Sequence, residues 1–574
     1  MDDSLTKQRH SLAHLLAAAV KELYPEALPS IGPAIDNGFY YDFDNLKEPD
    51  LAKLETTMRK LLINWTAFSG QEVDAAEAKK LFANNPYKLE LIDEIETKGE
   101  KITLYTSGEF TDLCRGGHSD NLSNIDPESF RLERLAGAYW RGDEKNKMLT
   151  RIYGLAFNSQ QELTDYLTMR EEAEKRDHRK LGKEMDLFTF SDLVGGGLPL
   201  WTPTGTLLRD LLDGFVWSLR SMRDYERVDI PHLAKKELYE TSGHWDKFKD
   251  ELFKINTREG HLFVLKPMNC PHHTQIYDRK GWSYRELPQR YATTTKVYRD
   301  EQSGELSGLT RVRAITQDDA HVFCRQTQVK EEMTKIWDII MEFYGVFGFK
   351  LSPRLSLHDP TNMESYLGSA DTWRQSEQEL RELVTEKGFT APEAVGEAAF
   401  YGPKIDFMSS DSLGRTWQVA TIQLDMNMPE RFDLTCTNEE GKKERIVMIH
   451  AAIMGSIERF LAVLIEHLGG QFPLWLSPKQ IAVLPVANNH QSYADEVATK
   501  LKLENVRVEM LPADDTLGKR IREVKTKKYP YFIVIGDKEK DSATFTLESR
   551  SGDKAVLSLP DLLTKLTTEI KNRV

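Results

Sequence analysis

Ile446-Val-Met-Ile-His-Ala-Ala-Ile-Met-Gly-Ser-Ile-Glu-Arg459 sets the architecture of the largest domain. An apolar run carrying His450 gives way at Gly455-Ser456 to a helix predicted from about Ser456 to Leu468, apolar along its length. Upstream, Gly195-Gly-Gly-Leu-Pro199 reads as a flexible turn before a strongly periodic helix. Leu207, Leu208, Leu211, Leu212, Phe215, Val216 and Leu219 form its apolar side, a 3.6-residue pattern. A strand-like Arg227-Val-Asp-Ile230 then stops at Pro231, and alternating strands continue through Tyr291 to Ala314. Residues 186–473 therefore read as a mainly antiparallel α+β domain with flanking helices.

Working outward, residues 1–158 alternate short helical and strand-like stretches and read as a compact α+β unit, with Gly137–Gly142 and Met148–Tyr153 as strands. Residues 159–185 mix both charge signs at helical spacing, as in Glu171-Glu-Ala-Glu-Lys-Arg-Asp-His-Arg-Lys180, and read as a solvated connecting helix. From 474 to 574 the short apolar strands Gln480–Pro485, Val506–Met510 and Tyr531–Ile535 alternate with helix-length polar stretches. This predicts a separate doubly wound α/β module.

With 574 residues, 40% hydrophobic and 29% charged, the chain has room for about four domains and the composition of a globular protein. No secretory signal and no apolar run of spanning length is present, so a cytoplasmic location with no membrane contact is expected. Four cysteines, at 114, 270, 324 and 436, form no close pair, which argues for individual roles rather than a disulfide framework. Cys324 and Cys436 read as ordinary thiols. The net charge is −14, yet from Leu474 onward 17 Lys or Arg face 14 Asp or Glu. Any nucleic-acid contact there would be local and salt-sensitive.

Five runs carry chemistry in the largest domain. Lys266-Pro-Met-Asn-Cys-Pro-His-His273 and Gln317-Asp-Asp-Ala-His-Val-Phe323, together with the run around His450, supply Cys270, His321 and His450. Thiolate and imidazole are donors that zinc accepts tetrahedrally, and three protein donors leave one position open for a substrate. Val297-Tyr-Arg-Asp-Glu301 and Leu309-Thr-Arg-Val-Arg313 supply fixed cations in Arg299 and Arg311 that suit phosphate, with Glu301 able to meet a base amino group. Alone, an Arg-x-Glu triplet is a surface ion pair more often than a site.

Together these runs resemble the motifs of class II aminoacyl-tRNA synthetases: a long helix and a strand ending in proline at 205–231, the second motif at 297–313, and Gly455-Ser-Ile-Glu-Arg459 as the third. The zinc trio narrows the resemblance to the threonyl-tRNA synthetase family, over nearly the whole chain. The resemblance implies a threonine–tRNA ligase that uses ATP with Mg2+, L-threonine and tRNA(Thr), with one Zn2+ per chain. By it, Arg299 holds the α-phosphate and the amino-acid carboxylate, Glu301 the adenine, and Arg311 and Arg459 the γ-phosphate. Asp319 accepts from the threonine hydroxyl, Gln317, Tyr401 and Lys404 line the amino-acid pocket, and His244 assists transfer or is a buried, hydrogen-bonded histidine. The family also implies a homodimer through the first motif.

Zinc that reads an amino and a hydroxyl group together separates threonine from valine. Serine differs only by a methyl, worth about 1–3 kcal/mol, so a second sieve is needed. His10-Ser-Leu-Ala-His14 puts two imidazoles on one helix face, and Asp112-Leu-Cys-Arg-Gly-Gly-His118 adds a thiol and a third imidazole. Spacing alone also permits a metal site, and with it a zinc hydrolase. The resemblance instead implies the editing site for Ser-tRNA(Thr), with Asp112, Lys88 and Tyr41 beside His10, His14, Cys114 and His118. The last module resembles the family's anticodon-binding domain around Gly536-Asp-Lys-Glu539. Glu539, Lys528 and Arg522 are its candidate contacts, although Leu547-Glu-Ser-Arg-Ser551 departs from the family's basic run and leaves only Arg550. Many relatives begin with a ubiquitin-like domain, whereas here the editing helix comes almost at once. A catalytically silent paralogue that binds tRNA-like RNA is the alternative function, opposed by the intact arginines and trio.

Overall fold

The computed structural model describes residues 3–411 and 414–574, and the chain divides into two compact units, Met1–Glu172 and Ala173–Val574. In the first, helix α1 (Asp3–Leu23) buries Leu12, Leu15, Leu16 and Val20. It lies against strand β1 (Gly38–Asp44) and helix α2 (Leu51–Asn64). Helix α3 (Pro86–Thr97) starts behind Asn85, whose side chain accepts from the backbone of Tyr87 and Lys88, a side-chain N-cap. Strands β2 (Ile102–Ser107) and β3 (Phe110–Leu113) pair as a hairpin. Strands β4 (Phe130–Tyr139) and β5 (Met148–Ala156) complete a sheet in which β1 pairs with β5 and β5 with β4.

Two expectations change here. The strand at Gly137–Gly142 ends at Tyr139, and Trp140–Gly142 form a 3-10 turn with Arg141 at φ 57°. Trp140 Nε1 donates to Glu90 Oε2 at 3.0 Å and Arg141 Nε to Glu90 Oε1 at 2.7 Å, contacts to α3 that draw the chain out of the ladder. The connecting helix is broken into α4 (Gln160–Arg176) and α5 (His178–Glu184) by Asp177, whose side chain accepts from Arg179 N. It is not simply solvated either: α5 buries His178, Leu181 and Gly182.

In the second unit, helix α6 (Pro203–Ser221) is N-capped by Thr202 and buries Leu208, Leu212, Phe215, Val216 and Leu219. The strand expected at Arg227–Ile230 is only β6 (Glu226–Arg227), after which Val228 N makes one more bond, to the carbonyl of Ala292 on the neighbouring strand. After helix α7 (Cys270–Tyr277) come β7 (Gln289–Tyr298) and β8 (Ala314–Cys324). Helix α8 (Val329–Gly345), β9 (Leu351–Leu357), helix α9 (Ala370–Glu386), β10 (Glu393–Val395), β11 (Lys404–Ser410) and β12 (Thr416–Asp425) follow. Short helix α10 (Asn427–Arg431), β13 (Val447–Ser456) and helix α11 (Ile457–Leu468) close the domain. The eight-stranded sheet runs β6-β7-β8-β13-β12-β11-β9-β10, antiparallel except at its two edges. One continuous core joins α6, α8 and α11 to this sheet.

The last module holds β14 (Ile481–Pro485), α12 (Gln491–Leu503), β15 (Val508–Met510), α13 (Leu517–Thr526) and β16 (Tyr531–Ile535). The strands β15, β14 and β16 are parallel as expected. Helix α14 (Asp537–Ser542) then leads to a hairpin, β17 (Thr544–Ser549) and β18 (Lys554–Ser558), that continues the sheet antiparallel under helix α15 (Leu559–Asn572).

Candidate active site

Sheet register explains how residues far apart in sequence meet. His321 on β8 lies directly opposite His450 on β13, His450 opposite Gln423 on β12, and Gln423 opposite Lys404 on β11. Directly paired residues project to the same face, so these four form a row across four strands. The next row is Asp319, Ala452, Thr421 and Asp406. Cys270 opens α7, which packs on β8. Ligand atoms of Cys270, His321 and His450 lie within 4.8 Å of one another, and all three residues are buried.

The imidazoles are held in defined orientations. His450 Nε2 lies 2.9 Å from Asp425 Oδ2, so it carries the proton and leaves Nδ1 a lone pair, 3.1 Å from His321 Nε2. His321 Nδ1 in turn meets His273 Nδ1 at 2.8 Å. Burial pushes the Cys270 thiol well up and His321 well down, which favours their neutral forms. Two imidazole nitrogens and a sulfur converging in this way are a donor set for a cation once the thiol is deprotonated. His244 is fully buried, with Nδ1 2.9 Å from Ser242 Oγ and Nε2 3.8 Å from Cys270 Sγ. Burial lowers it to about 3.

A cavity of about 630 Å³ spreads over this face, lined among others by Arg299, Glu301, Arg311, Asp319, Tyr401 and Arg459. Asn269 Nδ2 donates to Asp319 Oδ2 at 3.1 Å, Tyr401 OH donates to Gln423 Oε1 at 3.1 Å, and Lys404 Nζ lies 2.9 Å from Asp406 Oδ2. Gln317 also lines the cavity. Arg459 is lowered by burial and by the neighbouring Arg299 and Arg311, which together outweigh the opposing charge of Glu301. Glu301 and Arg311 face each other, at 2.7 Å. Asn269, His273, Asp406, Gln423 and Asp425 were not singled out by sequence. Asp406, Gln423 and Asp425 are brought in by strand register, and Asn269 and His273 by the start of α7 packing on β8.

A second cluster sits in the first unit. His10 Nε2 lies 3.1 Å and His118 Nε2 3.5 Å from Cys114 Sγ, and His14 Nδ1 lies 3.1 Å from Asp112 Oδ2. Asp112 Oδ1 is 2.5 Å from Lys88 Nζ and its Oδ2 accepts from Tyr41 OH at 2.5 Å. Burial alone would raise Cys114, but His10, His118 and His14 outweigh it and hold the thiol at about 4. Burial likewise opposes the His14 cation, and Asp112 and Cys114 still raise it to about 9. All seven residues expected here are thus brought together, six of them lining one cavity of about 370 Å³.

A third group, Asp177, His178 and Glu466, also lies close. Both ring nitrogens of His178 are occupied, by Glu466 Oε1 at 2.6 Å and by Leu309 N–H at 3.0 Å, so the ring has no lone pair left for an ion. In the last module Arg522 is exposed, while the other two expected nucleic-acid contacts are engaged within the protein. Lys528 Nζ donates to the carbonyl of Gly469 at the end of α11, and Glu539 Oε2 accepts from Gly536 N at 3.0 Å as a helix cap. Arg550 also turns inward, to the carbonyl of Phe472.

Residues 253–468 match the tRNA synthetase class II core domain (G, H, P, S and T), 480–569 an anticodon binding domain, and 102–153 the threonyl and alanyl tRNA synthetase second additional domain. Fold and site together define a class II aminoacyl-tRNA synthetase core. Among its relatives, the threonine–tRNA ligase of Cytophaga hutchinsonii is 47% identical over 575 residues, covering 98% of this chain and 88% of that one. That of Porphyromonas gingivalis is 47% identical over 576 residues with the same coverage. The crystal structure of the RNA binding domain of threonyl-tRNA synthetase from Cryptosporidium parvum is 37% identical with a TM-score of 0.66, covering 68% of this chain and 98% of that one. The chain belongs to the threonine–tRNA ligase family.

Proposed function

We propose that the protein joins L-threonine to tRNA(Thr) at the expense of ATP and hydrolyses Ser-tRNA(Thr) in its N-terminal unit. The observation that carries the first half is the row His321, His450, Gln423 and Lys404 beside the convergent Arg299, Arg311 and Arg459. A threonine carboxylate oxygen attacks the α-phosphorus of ATP, the bond from α-phosphorus to the bridging oxygen breaks, and pyrophosphate leaves. Two anions must approach, and fixed guanidinium groups stabilise that approach without a protein nucleophile. Arg299 holds the α-phosphate and carboxylate, and Arg459 the γ-phosphate. Arg311 exchanges Glu301 for the γ-phosphate, which frees Glu301 for the adenine amino group. Magnesium bound with ATP supplies further charge neutralisation of the phosphates.

Cys270, His321 and His450 would hold zinc, and their buried, convergent ligand atoms fit it. When bound, zinc would supply Lewis acidity toward the amino and hydroxyl groups of the substrate. Asp319, fixed by Asn269 on one oxygen, accepts the threonine hydroxyl proton through the other. Valine would leave that buried carboxylate unpaired, at about 1–3 kcal/mol. His244 stands beside Cys270 to help transfer. In the N-terminal unit Cys114, the three histidines, Asp112, Lys88 and Tyr41 position the terminal ribose and a water. Convergence of four ligand atoms there favours one competing reading, a second metal site, and one zinc per chain removes it. The same reading sets domain boundaries at 158, 185 and 473, makes α6 and β6 the seam of a homodimer, leaves Arg522 as an anticodon contact and implies a cytoplasmic location. Among the described residues no helix is long and apolar enough to cross a membrane.

Threonine-dependent ATP–pyrophosphate exchange, measured with zinc present, tests the ligase. Absence of exchange defeats it and leaves the silent paralogue. His14→Ala with Cys114→Ala should leave threonylation intact and let Ser-tRNA(Thr) accumulate. Unchanged removal of serine would refute the editing assignment.

A further inference from the structure

We infer that His178 is a positioning residue for the ATP site, holding the loop between β7 and β8 by the backbone N–H of Leu309. The inference rests on the reading of Arg311 and Arg459 as ATP ligands. His178 is 4% exposed and Leu309 fully buried. Glu466 Oε1 receives both the backbone N–H of His178 at 3.1 Å and Nδ1 at 2.6 Å, while its other oxygen accepts from Arg415. A carboxylate with these donors accepts only, so the proton sits on Nδ1 and Nε2 keeps its lone pair. Leu309 N–H donates to that lone pair at 3.0 Å.

The next residue is gripped as well. The carbonyl of Thr310 accepts from Arg459 Nε at 3.2 Å, and Arg311 follows directly. Arg459 and Glu466 lie on α11 two turns apart. One helix therefore fixes two successive residues of the loop, Thr310 directly and Leu309 through the ring of His178. Gly308 records how close the approach is: its φ is 48°, and a Cβ there would lie 2.3 Å from His178 Nε2. The histidine comes from α5, the segment that composition alone assigns to solvent. Its single acceptor is spent on a backbone amide two residues before a phosphate-binding arginine.

Asparagine at 178 can reproduce the Nδ1 donor to Glu466 but reaches no further, whereas glutamine can present an oxygen near the Nε2 position. ATP–pyrophosphate exchange on the full chain should show His178→Asn raising KM for ATP about tenfold, the effect of orphaning one buried N–H. KM for threonine should stay within about twofold, and His178→Gln should keep KM for ATP within about threefold. An unchanged KM for ATP in His178→Asn, an equal rise in both KM values, or a His178→Gln enzyme as impaired as His178→Asn overturns the inference. Should His178→Asn fail to fold, Gly308→Ala, at a partly exposed position, should raise KM for ATP selectively, and an unchanged value again overturns it. Arg311→Ala separates the two readings: no effect on KM for ATP defeats the ATP-site assignment, while a rise there with none in His178→Asn defeats only this one.

Discussion

Asp425→Asn should weaken metal binding without unfolding the site. Asp425 is fully buried and divides its two oxygens: Oδ1 accepts from Asn427 N at 2.8 Å and Met428 N at 2.9 Å, and Oδ2 faces His450 Nε2 at 2.9 Å. Asparagine keeps a carbonyl for the two backbone donors, so the start of α10 stays capped. Its amide nitrogen then confronts His450 Nε2 with a second N–H. The imidazole answers by moving its proton to Nδ1, the nitrogen 3.1 Å from His321 Nε2, and so loses the lone pair a metal needs. Loss of such an outer hydrogen bond costs about 10–100-fold in metal affinity, about 1.4–2.7 kcal/mol. Competition between the full chain and a chromophoric chelator for zinc reads this directly, with the apo melting temperature as control. Zinc affinity within about twofold of the parent would refute the tautomer argument.

Iodoacetamide should alkylate Cys114 as a thiolate down to low pH, slowing only as pH falls through about 4. The sign follows from the depressed folded value: the thiolate's stabilisation is complete above the unfolded thiol's pKa near 9 and is lost through about 4. A rate that climbs only above pH 8 would contradict this. Leu464→Ala, at a fully buried position of α11, should cost about 2–5 kcal/mol in urea unfolding, and a loss under about 1 kcal/mol would mean that the helix repacks freely. Arg522→Ala should lower tRNA affinity and reduce its salt slope by about 1. Lys528→Ala should change neither, because its ammonium already meets the Gly469 carbonyl, and a matching effect would show that it leaves that carbonyl for RNA.

The sequence disclosed the elements wherever hydrophobic period was strong, as on α6 and α11, and failed where a distant side chain overrode local preference. Glu90 pulls Trp140 and Arg141 out of a strand, and Glu466 draws His178 out of what composition reads as solvated surface. Chemistry-bearing types such as Cys270, His321 and His450 are rare enough to stand out singly. Asp425, Asn269 and Gln423 are ordinary letters whose meaning comes from contacts the fold makes, Gln423 opposite His450, Asp425 on His450 Nε2 and Asn269 on Asp319. Lys528 shows the converse: a basic residue in a basic module looks unengaged in the sequence, and its bond to a carbonyl is seen only in the fold.

The row from His321 to Lys404 also limits how this pocket can change over time. Each of the four strands contributes by parity, so inserting or deleting one residue within any of them would turn its contribution to the opposite face. Substrate preference at this surface is therefore open to point substitution but closed to length variation, which only the connecting loops can absorb.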